Sequence, residues 1–155
     1  MIHGSHPGDS DLGDLYQDVI LDHGRKPRNF GRVENPSATA EGFNPLCGDR
    51  LTVQVTFDHD RVTDVHFLGA GCAISIASAS LMTEVLRGKT KQEAEQIFQS
   101  FHDLLTTDKP ESAALGKLAV FSGVREYPMR VKCATLAWHA VRAALRNSGE
   151  QVTTE

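Results

Sequence analysis

Three cysteines and one aspartate limit this chain more than anything else in it. Cys47, Cys72 and Cys133 are the only cysteines among its 155 residues. Each stands where one kind of pattern gives way to another. Cys47 and Asp49 flank Gly48 in Asn44-Pro45-Leu46-Cys47-Gly48-Asp49-Arg50. A turn led by Pro45 and pivoting on Gly48 can aim the thiol and the carboxylate at one point, because glycine accepts dihedrals closed to other residues. Cys72 follows Gly69-Ala70-Gly71, and Cys133 lies within Val131-Lys132-Cys133-Ala134. Three thiols and one carboxylate make a full tetrahedral set for zinc, which takes sulfur and carboxylate oxygen. Such positions converge only through tertiary folding, so the chain must bring three separate elements to one place.

The alternative is that the cysteines are small buried hydrophobes. It is strongest for Cys133, which sits on an apolar helical stripe, and weaker for the two glycine-flanked positions. No Cys-x-x-Cys pair supports a metal by spacing alone. Helix N-termini at Cys72 and near Cys133, with Arg130 and Lys132 alongside Cys133, favour thiolate over thiol. An odd cysteine count without a short extracellular framework points to a reducing, cytoplasmic setting rather than disulfides.

The remaining totals exclude more than they assign. The length suits one domain, and a net charge of −4 gives no general attraction to nucleic acid or anionic membrane. No apolar run reaches the roughly 20 residues of a membrane span, and no signal peptide is recognisable at the start. Residues 1–11, with His3 and His6, read as a flexible tail, 12–147 as a single domain, and 148–155 as a second flexible tail.

Leu12, Leu15, Tyr16, Val19, Ile20 and His23 recur at helical spacing and predict a first helix ending at Gly24. A basic exit follows at Arg25, Lys26 and Arg28, read as a solvated loop or a partner surface. Ala38–Phe43 predicts a short strand. Leu51, Val53, Val55 and Phe57 alternate with polar residues as a second strand. The loop Asp58–Arg61 then leads to a return strand over Val62–Leu68. Beyond Gly71 a segment dominated by small residues predicts a helix closely packed on the sheet, running to Leu86. Thr90 and Glu93 form a capping-box pattern at the start of a helix reaching Leu105. A connector at Lys109-Pro110, a short helix over Ser112–Phe121 and a turn at Gly123–Tyr127 come next. Pro128 suits the first position of a last helix, running to about Asn147 with Cys133, Leu136, Ala137, Ala140 and Ala144 on one face. The order predicts an α+β domain: a three-stranded antiparallel sheet with helices on one side.

The three cysteine segments, together with Leu15-Tyr16-Gln17-Asp18-Val19-Ile20, Asp22-His23 and Pro27-Arg28-Asn29, resemble the signatures of the U-type iron–sulfur assembly proteins. This is the NifU N-terminal family, and the likeness runs from about Leu12 to Arg146. Within it the chain is most similar to the SufU branch. Lys132 stands where the IscU branch usually has a histidine, which leaves Asp49 as the natural fourth ligand. Arg50 after Gly-Asp and the long helical insert between Cys72 and Cys133 are also SufU-like. Tyr127-Pro128-Met129-Arg130-Val131-Lys132 lacks the IscU branch's Leu-Pro-Pro-Val-Lys chaperone-docking motif. Gly24 departs from the aromatic residue that relatives commonly carry there.

The resemblance implies a zinc held by Cys47, Asp49, Cys72 and Cys133, and a partner cysteine desulfurase of the SufS type. It implies a site that opens by exchanging a ligand and takes persulfide sulfur on one of its cysteines. Cys47, on a glycine-flanked turn rather than in a helix, is the expected acceptor, freed as a thiolate when a histidine of the desulfurase takes over one zinc position. The resemblance places Arg125 where the family contacts the desulfurase; Arg130 and Lys132 flank Cys133 and are docking candidates or plain helix-start charge. Three functions stay open on the residues: a sulfur relay, a scaffold building a [2Fe–2S] cluster on the same ligands, and a zinc-stapled interaction module. His139 lies about 240° round a helix from Cys133, which argues against joint ligation. His23 reads equally as a family position or a helix C-terminal cation.

Overall fold

The structure is a computed structural model that describes residues 7–107, 113–146 and 152–153. His3, His6, the Lys109-Pro110 connector and most of the expected C-terminal tail lie outside the described residues.

Helix α1 (Pro7–Arg25) leads into strands β1 (Ala38–Asn44), β2 (Asp49–Asp58) and β3 (Arg61–Ala70). Helices α2 (Ala73–Leu86) and α3 (Lys91–Thr106), a 3-10 segment (Ala113–Glu126), helix α4 (Pro128–Leu145) and a two-residue strand β4 (Val152–Thr153) complete the order. β1, β2 and β3 pair antiparallel, and β4 joins the outer edge of β1 in parallel, giving the order β3-β2-β1-β4. Two boundaries differ from expectation. α1 begins within the stretch read as an N-terminal tail, and Val152–Thr153 of the expected C-terminal tail adds to the sheet.

Period-two alternation puts Leu51, Val53 and Val55 of β2, and Val65 and Phe67 of β3, on a face closed to solvent, and a register shift at Thr56/Phe57 accompanies the burial of Val62. Helices α2 and α4 cover that face, with α1 packed on α2. Burying each of these side chains contributes about 1.5–3 kcal/mol. The opposite face carries exposed residues such as Thr39, Glu41 and Arg50.

α3 is an amphipathic helix of the expected kind. Ala94, Ile97, Phe98, Phe101, Leu104 and Leu105 are its buried stripe, and Thr90 and Glu93 close a reciprocal capping box. α4 departs from the one-faced reading: from Cys133 to Leu145 every residue but His139 and Arg142 is buried. It runs through the centre, between the sheet and α3. The fully buried Trp138 meets Phe101 at 4.9 Å between ring centroids. The short helix expected over Ser112–Phe121 is 3-10 and extends to Glu126, through a kink at Gly116 and into the predicted turn.

α2 is buried nearly all round, from Ser75 to Thr83. Its small side chains let three neighbours approach, and its serines satisfy their buried hydroxyls on three different elements. Ser75 donates to Asp49 of β2 at 2.6 Å. Ser78 donates to the Ala134 carbonyl of α4 at 2.6 Å. Ser80 Oγ accepts the Arg28 N–H at 2.8 Å and lies 2.7 Å from Nδ1 of His23.

Candidate metal centre

β1 turns into β2 through Pro45-Leu46-Cys47-Gly48, with Asn44 and Asp49 paired at the mouth of the hairpin. Gly48 has φ 75°, the left-handed conformation the turn requires. The Asn44 carbonyl accepts the Gly48 N–H at 2.8 Å, and its Oδ1 accepts the Leu46 N–H at 3.1 Å. Asn44 therefore shapes the turn from a fully buried position. The same alternation that buries Leu51 turns Asp49 inward, leaving its residue only 2% exposed. Arg50 consequently points to the other face, its guanidinium 4.5 Å above the Phe43 ring, away from the thiols.

Cys72 occupies the N-cap position of α2, and no side chain of its own caps the helix. The cap comes from the neighbouring strand: Asp49 Oδ1 accepts the Cys72 N–H at 3.0 Å. Gly71 permits this approach, since a Cβ there would sit 3.1 Å from Oδ1. Oδ2 accepts the Ser75 hydroxyl and lies 3.8 Å from the Cys72 sulfur. The carboxylate is thus held on both oxygens at a helix N-terminus, where a negative charge is favoured.

Cys133, in the second turn of α4, is fully buried and points its sulfur to within 3.5 Å of the Cys47 sulfur. One ligand atom each from Cys47, Asp49 and Cys133 lies within 4.8 Å of the others, so these three form the tightest group. Cys72 stands just outside it and touches it through Asp49. Cys47 and Cys72 are half-buried, so the site opens to solvent on their side.

This donor set fits a zinc ion. The Cys47–Cys133 separation of 3.5 Å is far longer than a disulfide of about 2.05 Å. It is close to the roughly 3.8 Å between two sulfurs each about 2.3 Å from a tetrahedral zinc.

At Cys133 burial opposes the pull toward thiolate expected from the helix N-terminus and its basic neighbours. Burial pushes its thiol well above the ordinary range, and the neighbouring Cys47 and Asp49 push the same way. Arg130 is drawn to this group: the charge of Cys72 first, and hydrogen bonding to Cys133 second, raise its pKa further. Arg125 is placed differently, its guanidinium donating to the Thr107 carbonyl at 2.6 Å. Lys132 is half-buried beside Cys133. Leu46, Tyr127 and Met129 are large apolar side chains left exposed, each within six residues of one of the site's cysteines in sequence.

Both histidines lie apart from the thiols. His139 stacks edge-on against Phe98 at 5.2 Å, on the α3 side of α4. His23 is buried against Ser80, and burial lowers its pKa. That environment favours a neutral imidazole over the helix C-terminal cation considered from sequence. Sequence reasoning gave Ser75 and Asn44 no role, although Asn44 opens the Cys47 segment and Ser75 closely follows Cys72. The signal for Ser75 was its place three residues after Cys72, in the first turn of the helix that Cys72 opens.

Among the described residues no helix is long and apolar enough to cross a membrane. Residues 15–134 match the profile of the NifU-like N-terminal domain family. The iron–sulfur cluster assembly scaffold protein IscU of Streptococcus pyogenes is 38% identical over 140 residues, covering 90% of this chain and 87% of the relative. The zinc-dependent sulfurtransferase SufU of Bacillus subtilis is 41% identical over 133 residues, covering 85% and 90%. The crystal structure of a SufU from Fervidobacterium islandicum, described as a cluster assembly scaffold of the SUF system, superposes with a TM-score of 0.80 at 39% identity, covering 85% of this chain and 97% of that one. With three cysteine segments and their acid gathered on this fold, the chain belongs to the NifU-like N-terminal domain family, the U-type iron–sulfur cluster assembly proteins.

Proposed function

We propose that this protein accepts sulfur from the persulfide of a SufS-type cysteine desulfurase onto Cys47, at a zinc site formed by Cys47, Asp49, Cys72 and Cys133. The observation that carries this reading is the convergence of three cysteines and a doubly anchored carboxylate, with Lys132 rather than a histidine beside Cys133. Similarity to a zinc-dependent sulfurtransferase supports it.

Bound zinc would stabilise its sulfur ligands as thiolates and protect them from stray oxidation. Cys47 is suited to leave and return because it sits on a half-exposed glycine-flanked turn, whereas Cys133 is buried in a helix. Its thiolate attacks the outer sulfur of the donor's Cys–S–SH group. The donor's S–S bond breaks as the new one to Cys47 forms, the donor cysteine departs as a thiolate, and no net oxidation occurs. Arg130, Lys132 and Arg125, with the exposed Leu46, Tyr127 and Met129, would form the surface the desulfurase meets, in the cytoplasm. Desulfurase turnover measured with and without this protein tests the proposal. Stimulation is expected with the wild type and absent with Cys47→Ala; stimulation retained by the variant would remove Cys47 from the role.

A second reading takes a [2Fe–2S] cluster as cargo assembled on the same four residues. The scaffold relative favours it, and thiolates accept either metal form. Anaerobic purification separates the two: colourless protein with stoichiometric zinc supports the relay, and brown protein with iron and sulfide supports the scaffold.

A further inference from the structure

We propose that Ser75 is the positioning residue for the fourth ligand, locking Asp49 in place whether or not the metal is bound. The inference rests on the zinc-site reading above and assigns a task to a residue that ligates nothing. Ser75 is fully buried in the first turn of α2. Its hydroxyl has one proton and two acceptors: Asp49 Oδ2 at 2.6 Å and the Cys133 carbonyl at 3.2 Å. The shorter contact to the carboxylate takes the proton. The side chain thereby ties β2 to α2, with the Cys133 carbonyl of α4 beside it as the alternative acceptor.

A carboxylate offers about four lone-pair sites. Here the Cys72 N–H takes one on Oδ1 and the Ser75 hydroxyl one on Oδ2. One site on each oxygen remains, so the group can serve a metal while staying fastened to α2. The fastening consists entirely of protein groups. It therefore persists when Cys47 swings away, and the position of Asp49 does not depend on the ion it would bind. Hydrogen-bond partners of ligands typically govern about 10–100-fold of metal affinity.

The test compares Ser75→Ala with Ser78→Ala. Ser78 is an equally buried serine one turn along the same helix, bonded to the Ala134 carbonyl and to Trp138 Nε1 instead of to Asp49. Zinc affinity by competition with a chromophoric chelator should fall about 10–100-fold in Ser75→Ala and stay within about twofold of wild type in Ser78→Ala. The ligand-field bands of the cobalt-substituted protein should shift only in the former. Combining Ser75→Ala with Asp49→Ala should weaken binding no further than Asp49→Ala alone. Zinc affinity of Ser75→Ala within about twofold of wild type, or equal losses in both serine variants, would overturn the inference while leaving the zinc site intact. Wild-type protein that fails to bind zinc would overturn the site reading and this inference with it. Amide exchange at Cys72 in wild-type protein needs no variant to fold: protection is expected with and without zinc, and its loss on zinc removal would overturn the claim that the anchor is independent of metal.

Discussion

Cys47 and Asp49 are two residues apart, yet the fold treats them in opposite ways. Asp49 is in a strand, buried, and bonded on both oxygens to the start of α2. Cys47 is on the turn just before, half-exposed, its sulfur meeting only Cys133 by a contact of 3.5 Å among the described residues. The boundary between them is the start of β2, where strand alternation begins to dictate which way side chains point. A site built this way has a fixed wall and a movable sulfur, which is what transfer without dismantling the metal centre requires.

The largest effect that tests this contrast is on function. Cys47→Ala should reduce stimulation of the desulfurase to background while changing unfolding free energy of the zinc-free protein by no more than about 0.5 kcal/mol. A fall of several kcal/mol in a urea titration would mean that the turn is as structural as the strand. Next in size is removal of the metal. Chelation should lower Tm, by an amount that grows with the free zinc used for comparison, reaching about 4 kcal/mol of stabilisation at a thousand times Kd. A Tm indifferent to zinc would show that the four side chains do not hold it.

Asp49→Ala should be costly even without zinc, because it strands the Cys72 N–H and leaves the Ser75 hydroxyl only the longer contact to the Cys133 carbonyl. At about 1–3 kcal/mol for a buried group left unpaired, a loss of about that size is expected in the zinc-free protein. A loss no larger than that of Cys47→Ala would erase the contrast. The smallest effect concerns the other end of the α2 anchorage, where His23 meets Ser80. Burial depresses the His23 pKa below its ordinary value, and His139 shifts the same way. The unfolded chain therefore binds more protons than the folded one below about pH 6.5. Stability rises with pH through that window and is lost as pH falls. Thermal scans of zinc-free protein between pH 7.5 and 5.5 should show this slope, and His23→Gln should flatten it in part. An unchanged slope would mean that His23 is not the group responsible.

Much of this was legible along the chain. Alternation in Leu51–Phe57 and the Thr90/Glu93 capping box are local signals, and both elements formed where they predicted. The apolar stripe of α3 could be counted because that helix has a solvent side. α4 misled for the complementary reason: packed on the sheet, α2 and α3, it has almost no polar face to set the period. The two residues of β4 carry too little pattern of their own, and their pairing depends on the free edge of β1.

The candidate site divides along the same line. Residue chemistry and order along the chain determined that three thiols and an acid were available, that Gly48 could turn Cys47 and Asp49 together, and that the likeness to U-type assembly proteins was specific. Only the tertiary structure decided that Asp49 caps a helix it does not belong to, that Ser75 secures it, and that Arg50 faces away while Arg130 comes close. It also decided that burial raises Cys133 instead of activating it. Each of these depends on distance through space between segments far apart in sequence. Hydrogen bonds and desolvation act over a few ångströms, and no spacing along a polypeptide encodes that separation until the core has closed.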